Sequence, residues 1–104
     1  MELKDLCLAI VNKMEESKKG TREIVLERSK NKCTMRYVGS SSDVYVHLVV
    51  DTKCLTIAGT IKVKRSYDDM FYAKLDIKKK LKIYSHISKV PEFWKPFHDL
   101  LNQY

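Results

Sequence analysis

The chain contains little glycine, proline or cysteine, and it has no long hydrophobic run. Its three glycines do not form G-x-x-x-x-G-K-[ST] or G-x-G-x-x-G, the two standard loops that hold phosphates in nucleotide-binding enzymes. No segment approaches the roughly 18 consecutive apolar residues of a transmembrane helix. The sequence therefore predicts neither of these nucleotide sites and no membrane span.

The three cysteines, Cys7, Cys33 and Cys54, are far apart and form no C-x-x-C pair. Because zinc and redox sites need closely spaced ligands, this spacing disfavours both. Each cysteine lies in an apolar-rich segment, as expected of buried thiols in a reducing compartment. The first apolar stretch, 6–11, is flanked by charged residues and is not followed by a signal-peptide cleavage site. We therefore expect an intracellular protein, cytoplasmic or nuclear, that is not secreted.

The sequence also lacks residue patterns typical of catalysis. His47, His86 and His98 have no cysteine, histidine or carboxylate at the spacing of metal ligands. The acidic pairs at 15–16 and 68–69 fall on a predicted helix surface and in a charged turn, where exposed acids suit catalysis poorly. We expect no catalytic residue, no metal ligand and no cofactor, and so a protein that is not an enzyme.

The residues that are present suffice for one modest globular core. Of the 104 residues, 44% are hydrophobic and 32% are charged, a composition typical of a folded protein. This length fits a single domain over 1–104. The net charge of +7 makes polyanions the natural class of partner: nucleic acid, an anionic membrane surface or an acidic protein.

The hydrophobic pattern predicts a helix at each end of the chain. Leu3, Cys7, Ile10 and Met14 recur at helical spacing and predict about four turns, ended by a glycine at position 20 in the left-handed conformation. At the other end, the segment 96–104 predicts a short helix that starts at a proline.

Between the helices the hydrophobic pattern has the period of two that is typical of β-strands. Strands are predicted at 22–28, 33–38, 44–50 and 54–64, with short polar links between them. Strands joined in this way form an antiparallel meander. The predicted fold class is α+β: an N-terminal helix, a meander of four to five strands and a short C-terminal helix, with both helices on one sheet face.

The segment 61–89 carries nine Lys or Arg against three Asp, which is +6 of the net charge. From 71 to 84 its odd positions are mainly apolar, and most of its even positions are lysine or tyrosine. We favour one strand over 71–84 because successive strand residues lie on opposite faces. Two alternatives are a turn at 78–80 that divides the segment into two strands and a helix over 67–83.

Pairing of this strand with 54–64 would place the even positions of both on one sheet face. Lysines there can neutralise phosphates, and tyrosines can stack on unpaired bases, with little sequence specificity. The alternative is that the lysines are a solvated surface that discourages aggregation. The predicted nucleic-acid-binding residues are Lys62, Lys64, Arg65, Tyr72, Lys74, Lys78, Lys80, Lys82 and Tyr84.

A second hypothesis is a protein-interaction module, such as a small regulator or inhibitor. Trp94 beside Lys95 is typical of an interface anchor, provided that the indole is partly exposed. The alternative is that Trp94 covers the open end of the core. Such a module would bind an acidic or apolar partner through Trp94, the sheet face or a sheet edge, alone or as a homodimer.

Overall fold

The computed structural model describes residues 2–39, 44–66, 69–77, 81–85 and 94–104, with side chains for 2–39, 45–62, 76–77 and 94–104. Two helices and six strands lie in these residues. Their order along the chain is α1 (Leu3–Gly20), β1 (Ile24–Arg28), β2 (Lys32–Val38), β3 (Val44–Asp51), β4 (Thr56–Ser66), β5 (Asp69–Asp76), β6 (Leu81–Ser85) and α2 (Lys95–Asn102).

The strands form one antiparallel sheet whose spatial order is the same as their order in the sequence. This confirms the predicted α+β fold with a meander between two helices. Each of the predicted strands before residue 66 is present to within two residues at either end. β4 continues to Ser66, two residues past its predicted end, and β5 begins at Asp69, two residues before the predicted start at 71.

The favoured single strand over 71–84 is wrong. β5 and β6 pair antiparallel, with Tyr72 opposite Ser85 and Asp76 opposite Leu81, so the chain has reversed direction between them. The alternative that divided the segment into two strands is the one that agrees with this pairing, although residues 78–80 lie outside the described part. A lysine-rich alternating pattern fits one long strand or two short ones equally well, and the second arrangement adds another ladder of backbone hydrogen bonds.

Both helices pack against the same face of the sheet. α1 buries an apolar stripe at the predicted helical spacing, and α2 adds Phe97 and Leu101 to the same core. On the strands, alternate positions complete this core, because every second side chain faces the helices. Among the described side chains, the buried apolar residues of the strands are Ile24, Cys33, Met35, Val46, Leu48, Val50, Ile57 and Ile61.

The C-terminal end of α1 differs from its prediction. Gly20 is the last helical residue and has no positive φ, and the extended Thr21 follows it. The backbone N–H of Thr21 donates to the Lys18 oxygen at the end of the helix. Lys18 and Lys19 lie in the last turn, and Lys18 Nζ donates a hydrogen bond to the Ile24 backbone oxygen at 2.7 Å, which ties the helix to the first strand. Neither of the two described helices is both long enough and apolar enough to cross a membrane.

Candidate nucleic-acid interface

The sheet face opposite the helices, called the open face below, is formed by the alternate strand positions. Every described side chain on it from β1 to β4 between Val25 and Lys62 is exposed or half-buried, except Asp51 at its end. Among the described residues, both helices pack against the other face. The open-face residues of β1 to β4 are Val25, Glu27, Lys32, Thr34, Arg36, Val38, Tyr45, His47, Val49, Asp51, Thr56, Ala58, Thr60 and Lys62.

The strand register arranges the open face in rows that run across the strands. In the first row, Tyr45 of β3 lies between Val38 of β2 and Lys62 of β4, and Tyr72 of β5 is opposite Lys62. Neighbours within a row are roughly 5 Å apart. The prediction that even positions of these two segments share a face is confirmed for Lys62 and Tyr72, and the structure adds a second tyrosine to the row.

The second row lies one step along the strands. His47 is opposite Arg36 on one side and Thr60 on the other, and Lys74 is opposite Thr60. Thr60 and Lys74 are also even positions, so this pairing agrees with the predicted common face. Lys62 and Lys74 are diagonal neighbours, a relation that corresponds to roughly 7–8 Å between positions.

Acidic residues are confined to another part of the open face. The third row runs through Thr34, Val49 and Ala58, and two acids belong to it. Glu27 of β1 is opposite Thr34, and Asp76 of β5 is opposite Ala58. Among the described positions of the first two rows, three are basic and none is acidic. This half of the open face therefore presents positive charge without an acid in the same rows. The basic positions are Arg36, Lys62 and Lys74.

Two further predicted residues lie at the end of β4. Lys64 is opposite Met70 and continues the alternation of the open face, while Arg65 lies where the pairing register shifts between Lys64 and Ser66. A register shift of this kind marks a β-bulge, which re-aims the local chain. Lys78 and Lys80, also predicted to bind, lie outside the described residues.

The positions of Lys82 and Tyr84 differ from the prediction. In β6, Lys82 is opposite Leu75 and Tyr84 is opposite Ala73, whereas Lys74 is opposite Ile83. Residues that are paired across two strands lie on the same face of the sheet. Positions 82 and 84 therefore belong to the face opposite the open face. The reason is the reversal of the chain between β5 and β6. In a single strand all even-numbered residues would lie on one face, but after the reversal the even-numbered residues of β6 pair with odd-numbered residues of β5.

Sequence reasoning did not select Arg36, Tyr45 and His47 as site residues. Their signal was present, because each occupies a polar or amphipathic position of an alternating strand. To use it, one must follow the pairing across two hairpins, from β2 through β3 to β4. The concentration of charge in 61–89 instead predicts a binding site near the end of the chain.

Trp94 is not the partly exposed residue that an interface anchor requires. Its side chain is completely buried and stacks on Phe97, with 5.3 Å between the ring centroids. The indole Nε1 is buried without a hydrogen-bond acceptor among the described residues. Lys95 beside it is exposed. The structure thus agrees with the alternative in which Trp94 closes the core.

The cysteines and histidines add no chemistry to the open face beyond His47. Cys7 and Cys33 are buried as predicted, and burial raises the pKa of both thiols. Cys54 is exposed, contrary to the prediction. His98 lies in α2 as predicted, and His86 lies outside the described residues. Within the described residues, no group of three or more His, Cys, Asp or Glu side chains is placed to hold a metal ion.

Comparison of the chain with protein-family models, with curated protein sequences and with solved structures finds no match. Function is therefore inferred from the chain's own geometry and charge. The feature with the clearest functional meaning is the basic half of the open face.

Proposed function

We propose that this protein is a small non-enzymatic binding protein that contacts nucleic-acid phosphates through its open face. The observation that supports the proposal best is the pair of adjacent rows with Arg36, Lys62 and Lys74 and no acidic position among those described. Both helices lie on the other side of the sheet, so a polyanion can reach these rows.

The charge arrangement gives a physical reason for binding. Lys62 and Lys74 occupy diagonal positions of the open face, and cationic residues at such positions favour the binding of a phosphate. Lysine and arginine also release the counterions condensed on a nucleic acid when they neutralise its phosphates. The net charge of +7 adds long-range attraction to the same partner.

Contacts of this kind carry little sequence information. Phosphates are the same at every nucleotide, so cations position a nucleic acid without reading its bases. Lys64 continues the open face beyond the first row, and Arg65 lies at the register shift beside it, so the proposed contact extends to these two cations. We expect similar affinities for oligonucleotides of equal length and different sequence.

The test is a fluorescence-anisotropy titration of labelled mixed-sequence oligonucleotides at several salt concentrations. The test variant carries Arg36→Ala, Lys62→Ala and Lys74→Ala. The matched control removes the same charge from exposed lysines elsewhere, with Lys4→Ala, Lys19→Ala and Lys53→Ala.

For single strands, each neutralised phosphate contributes about −0.7 to the slope of log K against log salt. The open-face variant should therefore lose about 2 from that slope, while the control variant keeps the wild-type slope to within about 0.5. Equal losses in both variants would show that total charge alone governs binding. Absence of binding at low salt would remove the proposed function.

A protein partner is the second candidate, and one observation favours it. Val25 and Val38, at the β1–β2 side of the open face, are about half exposed, at 52% and 50%. Exposed apolar residues beside charged ones are common at protein interfaces. A pull-down with and without nuclease separates the candidates, because only a directly bound protein would survive nuclease treatment.

A further inference from the structure

The open face also contains a feature that phosphate binding does not use, the aromatic ring of Tyr45. We propose that Tyr45 is a base-stacking platform and that the open face selects single-stranded over double-stranded nucleic acid. This inference rests on the proposed function and names the form of its ligand.

The location of Tyr45 is the first step. It lies on β3, an interior strand of the six-stranded sheet, and its side chain is 39% exposed. In the register it stands directly between Lys62 and Val38. A ring at this place can take a base on its surface while the neighbouring ammonium group contacts the adjoining phosphate.

The surroundings of Tyr45 provide further surfaces for bases. His47 lies two residues along the same strand and on the same face, where it is half-buried. Tyr72 occupies the same row two strands away, a separation of about 10 Å at the usual strand spacing. Rings of this kind accept any base, because each base has a π-face, so low sequence specificity is retained.

The preference for single strands follows from the geometry of the ligand. In a duplex the base faces are covered by their neighbours in the stack, so a flat protein face reaches only phosphates and sugars. In a single strand the bases can turn onto the sheet while the backbone follows Arg36 and Lys62. Loss of one stacked base typically lowers affinity by about 5- to 100-fold.

The experiment measures binding of a 15-nucleotide single strand and a 15-base-pair duplex to four proteins at low salt. These are the wild type, Tyr45→Thr, Tyr45→Phe and Tyr104→Ala. Threonine keeps the preference for a strand but removes the ring, and phenylalanine keeps the ring. Tyr104, at 41% exposure beyond α2, is a tyrosine of matched exposure away from the sheet.

The proposal predicts that Tyr45→Thr weakens single-strand binding by about 5- to 100-fold and duplex binding by less than about twofold. Tyr45→Phe should stay within about threefold of the wild type on both ligands, and Tyr104→Ala should match it. Circular dichroism of each variant checks that the sheet is retained. Should Tyr45→Thr fail to fold, the comparison of the wild type on the two ligands still decides, because the proposed selection of single strands requires tighter binding of the single strand.

Three results would overturn the inference in distinguishable ways. Equal weakening of single strand and duplex by Tyr45→Thr would show that the ring supports the sheet and does not stack. Equal affinity of the wild type for both ligands would leave phosphate contact, and hence the proposed function, without base stacking. Binding of neither ligand, with capture of an acidic protein instead, would remove the proposed function itself.

Discussion

Gly59 shows how closely two strands approach at one residue of the sheet. A Cβ atom at this position would lie 2.3 Å from the His47 backbone oxygen and 3.1 Å from the Leu48 Cα atom. Both obstacles are backbone atoms of β3, which cannot move aside as a flexible side chain could. Glycine is therefore required here by space and not by an unusual φ angle.

Gly59→Ala should destabilise the protein by about 1–3 kcal/mol, because β3 and β4 must separate locally to admit the methyl group. Gly20→Ala is the matched control, since no atom lies within 4 Å of a Cβ at the end of α1. It should be neutral or stabilising by up to about 1 kcal/mol. Urea unfolding followed by circular dichroism measures both, and equal stability of the two variants would contradict the close approach.

Asp51 organises the turn between β3 and β4. Its Oδ1 accepts hydrogen bonds from the backbone N–H groups of Cys54 at 2.8 Å and Lys53 at 2.9 Å, and Leu55 completes the turn with a φ of 55°. The Cys54 N–H has the largest effect in lowering the pKa of Asp51; desolvation acts in the opposite direction, and Lys53 and Lys32 lower the pKa further. The sequence predicted a turn here but not that its carboxylate would be buried.

A lowered pKa in the folded state predicts the direction of a pH effect. The ionised carboxylate stabilises the fold above its unfolded pKa of about 4, and this contribution disappears as the pH falls through the lowered folded pKa. Asp51→Asn has no charge to lose, so its stability deficit should be largest near pH 6 and should shrink toward pH 2. Denaturant unfolding across this range measures the deficit. A deficit that is constant with pH would contradict the assignment.

At the scale of elements, α2 is held by its aromatic residues. Trp94 precedes the helix and stacks on Phe97, and Leu101 lies one turn further along the same buried face. The C-terminal half of α1 contacts β1, where Arg28 forms an ion pair with Glu15. Exposed pairs of this kind contribute about 0–1 kcal/mol, so apolar burial holds the helices in place.

Trp94→Ala should lower the free energy of unfolding by about 3–5 kcal/mol, the usual cost of emptying a large buried aromatic site. Tyr104→Ala, at an exposed ring nearby in the sequence, should change it by less than about 0.5 kcal/mol. Circular dichroism in urea is the suitable probe, because the variant lacks the chain's one tryptophan. Wild-type stability of Trp94→Ala, together with loss of a bound protein, would instead restore the interface role.

Most elements could be predicted from the sequence because their patterns are local. The helical spacing of apolar residues predicts the buried face of α1, which contains Leu6, Cys7 and Ile10. The alternation of apolar residues predicts the buried face of β3, which contains Val46, Leu48 and Val50. The division of 71–84 could not be predicted in the same way. Its pattern is compatible with two strand arrangements, and the choice depends on pairing between β5 and β6.

At the scale of the whole molecule, the candidate site is a consequence of topology. A meander with both helices on one side leaves its second face uncovered from β1 to β4 among the described side chains. Lys62 and Tyr72 could be predicted as neighbours because they flank one hairpin. Arg36 and Tyr45 join them only through the register of two further hairpins, and no local pattern in the sequence specifies that register.

The most direct test of this account is a titration of the isotopically labelled protein with a single-stranded oligonucleotide, followed by amide chemical shifts. The account predicts that the largest changes occur on the open face, at Arg36, Tyr45, Lys62 and their row neighbours. Amides of α1 around Lys4 and Lys19 should move little, although these lysines are exposed as well. Largest changes on α1, or an even spread over all basic residues, would contradict the open face as the binding surface.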